Sequence, residues 1–198
     1  MVGGQRVAAG RPVHGDAHGV PGPLDQDVLV HAPDRSAYRR PVAVPERVAW
    51  AVERVAPRPG MRVLEIGFGR GVAVDLLCRA GAVVTGVDRS ARMVEVASRR
   101  NAEHVAAGVA DLRLGTLADV TGSFDAVLAV NVNAFWTAPR DLAPVTAALA
   151  PGGVLHLCYE PPTAAQVETI ADRIRPALAG FTVQTATRGD RLLCITAR

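Results

Sequence analysis

Residues Val63-Leu64-Glu65-Ile66 form a short apolar run carrying one acid, and the run leads straight into Gly67-Phe68-Gly69-Arg70-Gly71. Glycines at alternate positions admit backbone conformations with φ > 0 and leave room for a ligand against the main chain where a Cβ would stand. The spacing predicts a helix from about Arg70 to Arg79, whose first amides and positive dipole end would face the same spot. A strand, a glycine turn and a helix N-terminus in succession read as a nucleotide-cofactor site.

The details choose among cofactors. A dinucleotide fingerprint is G-x-G-x-x-G/A, its third small residue allowing close packing of helix on strand. Here that third place holds Val72, and the spacing is G-x-G-x-G. Glu65 stands two residues before the turn. A carboxylate there would repel a pyrophosphate but suits a cofactor with a cationic amino-acid end. S-adenosylmethionine, with its ammonium and sulfonium and no phosphate, meets that description.

From these residues onward the chain resembles the class I S-adenosylmethionine-dependent methyltransferases, and its Ala129-Val130-Asn131-Val132-Asn133-Ala134-Phe135-Trp136 segment is similar to one in small bacterial members of the ubiquinone-biosynthesis-like, methyltransferase type 11 superfamily. Ala82-Val83-Val84-Thr85-Gly86-Val87-Asp88 reads as a second strand ending in an acid 21 residues beyond Gly67, the separation expected of a ribose-binding carboxylate. Ser90 to Met93 is similar to the family's D-x-S-x-x-M continuation. Ser123-Phe124-Asp125-Ala126-Val127 is similar to its fourth-strand entry, and Leu149-Ala150-Pro151-Gly152-Gly153 to its turn before the fifth strand. The resemblance implies S-adenosylmethionine as cofactor and methyl transfer to a small-molecule acceptor.

Beyond those motifs the pattern alternates. Val44, Val48, Val52 and Val55 share one helical face, with Pro45 in the first turn and Pro57-Arg58-Pro59-Gly60 closing the helix. Strands are expected near 62–66, 83–87, 111–115, 125–130, 153–159, 181–186 and 191–196. Helices are expected near 70–80, 90–103, 139–149 and 163–178. Such alternation implies an α/β fold, a mostly parallel Rossmann-like sheet covered on both faces. About four residues around Gly189-Asp190 join the last two strands, too few for a crossover, so that pair must be antiparallel. The resemblance implies seven strands in the order 3-2-1-4-5-7-6 with strand 7 antiparallel.

Ligands in such sheets bind beyond the carboxyl ends of the strands. On the cofactor side this selects Glu65 for the ammonium, Gly67, Phe68 and Gly69 for the methionine part and ribose, Asp88 and Arg89 for the ribose region, and Met93 for packing on the adenine. Thr116, Leu117 and Asn131 complete that set, although the family commonly has an acid and a small residue where Thr116 and Leu117 stand. Thr116 has a second reading as a helix cap. On the acceptor side the rule selects Asn133, Trp136, Tyr159 and Glu160, with Phe135 and Trp136 either lining the pocket or packing in the core. Methyl transfer depends mainly on alignment of an in-line attack, with a base needed only when the acceptor must lose a proton. Tyr159 and Glu160 are the nearest candidates for such a base, His156 reads as a packed core residue, and no catalytic residue is assigned.

Composition narrows the field. The 198 residues suffice for one α/β domain, expected over 29–198 behind a mobile tail at 1–28 rich in Gly, Pro and His. His14 and His18 lie beside glycines and make a poor metal site, and no metal is expected. No apolar run approaches the roughly 20 residues of a membrane span, and no secretory signal is visible. Cys78, Cys158 and Cys194 read as buried reduced thiols. These features suggest a cytoplasmic protein, monomeric or homodimeric, that does not engage membranes.

All 22 basic residues are arginine, which excludes a lysine Schiff base and with it the usual pyridoxal chemistry. Between Arg35 and Arg100, 13 arginines face 6 acids. An acidic substrate or an RNA backbone would suit that excess, but aromatics for base stacking are sparse and the Asn-Pro-Pro-aromatic motif of amide and base-amine methyltransferases is absent. A solvated helix face is the simpler reading, and a nucleic-acid partner is disfavoured. Two rival functions share the glycine turn. One is a cofactor-binding protein or cyclase that does not methylate; the other is an NAD-dependent oxidoreductase, disfavoured by Glu65, Val72 and the antiparallel end.

Overall fold

Why the chain folds as it does is clearest at its first helix. The computed structural model describes residues 43–139 and 142–198, so the expected tail at 1–28, its histidines and the segment up to Val42 lie outside the described residues. α1 (Glu46–Val55) starts after Pro45, which stands at the N-cap, and ends where Ala56 takes a left-handed conformation that lets its amide reach the Val52 and Glu53 carbonyls. Trp50, Ala51, Val52 and Val55 are buried, whereas Val44 is exposed ahead of the helix, so the inward stripe is shorter and shifted relative to the valine pattern.

Seven strands follow: β1 (Arg62–Ile66), β2 (Val83–Asp88), β3 (Ala110–Leu114), β4 (Phe124–Val130), β5 (Leu149–Tyr159), β6 (Val183–Arg188) and β7 (Leu192–Ala197). They form one sheet in the order β3-β2-β1-β4-β5-β7-β6. β3, β2, β1, β4 and β5 pair in parallel, and β7 runs antiparallel to both β5 and β6. The expected topology is the observed one. β1, β4, β5 and β7 are buried on both faces, which is why they read as nearly continuous apolar runs.

Two apolar layers enclose the sheet. One gathers α1 and α2 (Val72–Arg79) over Val63, Leu128, Cys158 and Cys194; the other gathers α6 (Leu142–Ala147) and α7 (Ala165–Ile174) over Leu64, Val127, Leu157 and Ile195. Residues adjacent in sequence, such as Val63 and Leu64, fall into opposite layers, as the twofold period of a strand requires. Cys158 and Cys194 face each other across β5 and β7 as free, buried thiols.

Four boundaries differ from expectation. The single helix expected at 90–103 is two, α3 (Ala91–Arg100) and α4 (Ala102–Ala106), because the chain turns at Asn101. The helix expected at 163–178 becomes a 3₁₀ turn over Arg175–Leu178, where Pro176 removes an amide donor. An unexpected short helix, α5 (Ala134–Thr137), follows β4. The Pro151-Gly152-Gly153 segment does not precede β5 but lies within it. The β4–β5 register shifts there, between the Phe124–Leu149 and Ala126–Val154 pairs, and Gly152 supplies φ +77° at the irregularity.

Candidate active site

The glycine turn is held at both ends. The Gly67 amide donates to the Val87 carbonyl at 2.8 Å, carrying the β1–β2 pairing one residue into the turn, and the Gly71 amide closes it on the Phe68 carbonyl at 2.9 Å. Gly67, Gly69 and Gly71 have φ of +69°, +53° and +69°. Their reasons for being glycine differ. A Cβ on Gly71 would stand 2.5 Å from Asn101 Nδ2 and 2.8 Å from the Ala97 Cβ, whereas one on Gly69 would meet nothing within 4 Å. Gly71 is required by packing, and Gly69 keeps open the space a ligand would use.

Asn101 is the residue that sequence reasoning missed. Its side chain is 1% exposed and donates from Nδ2 to the carbonyls of Gly71 (3.1 Å) and Ala97 (2.9 Å), clamping α3 to the turn. Nothing in the local pattern separates it from an ordinary helix-ending asparagine. Phe68 turns its ring into the core, against Gly86 of β2, where a Cβ would lie 2.7 Å from the ring.

Glu65 lies under the turn, 3% exposed. Burial, and next the charge of Asp88, push its carboxyl up to about 8, against a backbone hydrogen bond from Val74 that acts the other way. Oε2 has no hydrogen-bond partner among the described residues. Asp88, at the end of β2, accepts from the Gly69 amide at Oδ2 and from the Ser90 amide at Oδ1, both at 2.9 Å. Ser90 in turn caps α3 at the Met93 amide.

Two cavities meet over this floor. One of about 220 Å³ lies between the start of α1 and the turn and includes Arg47, Glu65 and Gly69 in its walls. The other, of about 710 Å³, runs along the carboxyl ends of β1 to β4 past Asp88, Arg89, Thr116, Leu117, Asn133 and Phe135. Gly67 and Asn131 border both. Asn131 holds a left-handed φ of +55°, its amide on the Cys158 carbonyl and its Oδ1 accepting from the Glu160 amide, both at 2.8 Å. A non-glycine residue kept in that conformation by two hydrogen bonds marks a strained, well-determined point of the cleft.

The other residues selected from sequence divide. Thr116 and Asp119 form a reciprocal capping box on a 3₁₀ turn, so the capping reading is realised while Thr116 also borders the larger cavity. Met93, Trp136, Tyr159 and Glu160 do not border either cavity. The Trp136 indole packs on the layer of α6 and α7, with the Arg173 guanidinium 5.6 Å from its ring centre and its Nε1 donating to Asn133 Oδ1 at 3.3 Å. Tyr159 is 2% exposed and donates to the Val132 carbonyl; burial, and next Cys158, raise its phenol well above the ordinary range. Glu160 pairs with Arg47 of α1 at 3.1 Å, two residues 113 apart in sequence.

Comparison with known proteins bears on the fold that carries this site. Residues 63–153 match the family model described as a methyltransferase domain. The chain is 44% identical over 85 residues to the ubiquinone biosynthesis O-methyltransferase of Methylocella silvestris, covering 40% of this chain and 32% of that protein. It is 35% identical over 120 residues to the protein of the same description from Xanthomonas campestris pv. campestris, covering 57% and 48%. The matched stretch thus spans less than half of either relative. Among solved structures, the fold is similar to a methyltransferase from Thiobacillus denitrificans in complex with S-adenosylhomocysteine, with a TM-score of 0.54, 25% identity and coverage of 72% and 66%. It is also similar to magnesium protoporphyrin IX methyltransferase from Synechocystis with bound S-adenosylhomocysteine, at TM-score 0.54, 25% identity and coverage of 76% and 78%. Residues 63–153 thus match a methyltransferase domain, and they supply the first four strands and the start of the fifth in the sheet of order β3-β2-β1-β4-β5-β7-β6.

Proposed function

We propose that the protein binds S-adenosylmethionine and transfers its methyl group to a small-molecule acceptor. The observation that carries this reading is Glu65, a buried carboxylate with an unsatisfied oxygen beside the smaller cavity. A buried acceptor without a partner is costly, and a ligand ammonium would satisfy it. The methionyl end then occupies the 220 Å³ cavity and the adenosine part lies in the 710 Å³ cavity, with Gly67 and Gly69 between them, Asp88 and Arg89 at the ribose, and Thr116 and Leu117 toward the adenine.

When bound, the cofactor supplies an activated methyl on a sulfonium. The chain's own part is to hold donor and acceptor in line in a water-poor cleft. Asn131, where the cavities meet, and Asn133, further along the larger one, are placed to orient the acceptor. Glu160 acts one step back, through its pair with Arg47 in the wall of the smaller cavity. The names of the relatives favour an oxygen as the methylated atom. The test is direct: calorimetry should show binding of S-adenosylmethionine and S-adenosylhomocysteine and none of NAD, and phenolic and enolic acceptors should be screened for release of S-adenosylhomocysteine. Binding of NAD alone would overturn the reading; binding of the cofactor without turnover on any acceptor would favour a non-methylating role.

A further inference from the structure

A third cavity, of about 510 Å³, lies at the opposite end of the sheet, where the end of α1 and the loop after it meet the start of β4, the irregular part of β5 and the end of the chain. Its lining includes Arg54, Arg58 and Arg198 together with one acidic side chain, Asp125, whose Oδ2 is already taken by the Arg62 amide at 2.8 Å. Among the described residues none of the three arginines pairs with an acid. A solvated surface arginine needs no partner, but two groups here are not solvated. His156, 3% exposed, borders the cavity with its Nδ1 buried and unpartnered, and the Arg54 Nε is likewise buried without an acceptor. Buried polar nitrogens without a partner are uncommon in folded proteins.

We propose that this cavity binds a small phosphate-bearing anion, at a site separate from the methyl-transfer cleft. Planar guanidinium groups match phosphate oxygens in bidentate fashion. Arginine side chains outnumber acidic side chains in the lining, which favours an anionic ligand. The volume exceeds what a single phosphate needs, which points to a pyrophosphate or a small phosphate ester. Two of these arginines belong to the basic stretch that sequence alone leaves as a solvated face, and the fold instead brings them to one cavity with Arg198, 140 residues beyond Arg58.

Pyrophosphate is the probe. Titrated into the full chain at low ionic strength, it should bind one to one, raise the melting temperature, and bind equally well with S-adenosylhomocysteine present at saturation. Arg58→Ala, an exposed position outside any helix or strand, should keep the fold and weaken pyrophosphate binding about tenfold or more. Arg54→Ala/Arg58→Ala should abolish it and the thermal shift together. The proposal is overturned by absence of pyrophosphate binding, by binding that Arg58→Ala leaves unchanged, or by displacement by S-adenosylhomocysteine. Binding of a short RNA without pyrophosphate binding would also overturn it, in favour of a nucleic-acid surface. None of these results bears on methyl transfer, so the two readings fail independently.

Discussion

The Gly69 amide donates to Asp88 Oδ2 at 2.9 Å, so the carboxylate expected to meet a ribose is also the brace of the glycine turn. Its other oxygen holds the Ser90 amide at the entrance to α3. A carboxylate has about four lone-pair sites, so both braces leave room for ligand hydroxyls. Asp88→Ala should therefore act twice. Cofactor affinity should fall at least about tenfold, and the ligand-free protein should lose roughly 1 to 3 kcal/mol as two charge-assisted bonds disappear. Calorimetry and a denaturant melt separate the two effects; a lowered affinity with an unmoved melt would show that the turn does not depend on its brace.

Glu65 gives the protein a defined pH response. Its folded pKa of about 8 lies above the unfolded value of 4.5, so the folded state holds the proton more tightly. This contribution to stability is complete below about pH 4.5 and is lost as pH rises through 8. Glu65→Gln should flatten that decline, leaving the ligand-free variant more stable than the parent near pH 8. Cofactor binding should run the opposite way, because an ammonium selects the ionised carboxylate. Affinity should climb with pH by up to tenfold per unit below 8, with release of a proton on binding. Calorimetry in buffers of different ionisation enthalpy detects that proton, and its absence would remove Glu65 from the ammonium site.

The glycines separate fold from ligand. Gly71→Ala places a Cβ against Asn101 and Ala97 in a left-handed backbone and should cost about 2 to 4 kcal/mol of stability. Gly69→Ala meets no protein atom, so its cost should be the backbone strain alone, about 1 to 2 kcal/mol. Its Cβ enters the cavity, however, and should reduce S-adenosylhomocysteine affinity at least about tenfold. Equal melts for the two variants would mean that Asn101 and Ala97 yield to the new methyl group.

What could be read before the fold was known depends on distance along the chain. The strands and the glycine turn were legible because each signal is local, namely apolar runs, glycines at fixed offsets and an acid 21 residues on, while the sheet order followed from the resemblance those signals carry. The Arg47–Glu160 pair was not legible, since nothing in either neighbourhood specifies a partner 113 residues away. Asn101 was missed for the same reason, its role being set by the carbonyl of Gly71, 30 residues earlier. The Pro151-Gly152-Gly153 segment carries the residues of a turn and has no partner on β4, between the Phe124–Leu149 and Ala126–Val154 pairs, so it becomes an irregularity inside β5 rather than a turn ahead of it. Trp136 shows the remaining ambiguity: an aromatic at a strand end serves a pocket or a core equally well until the neighbouring helix is placed.

That placement makes the acceptor side testable with three residues that ought to behave differently. Asn133 borders the larger cavity, so Asn133→Ala should lower turnover while changing S-adenosylhomocysteine affinity by less than about 1 kcal/mol. It also removes the acceptor for the Trp136 indole, and a melt must accompany the assay. Trp136→Ala, which empties a packed position under Arg173 rather than the cavity, should cost about 2 kcal/mol of stability, less than a fully buried aromatic. Once stability is matched by lowering the temperature, its turnover should equal the parent's. Glu160 sits half-exposed against Arg47, and such pairs are worth about 0.2 to 1 kcal/mol. Glu160→Ala and Arg47→Ala should therefore have small, similar effects on the melt, and the double variant should be no worse than either alone. If Glu160→Ala instead abolishes turnover while Arg47→Ala preserves it, Glu160 is acting on the acceptor as a base and the ion pair is incidental.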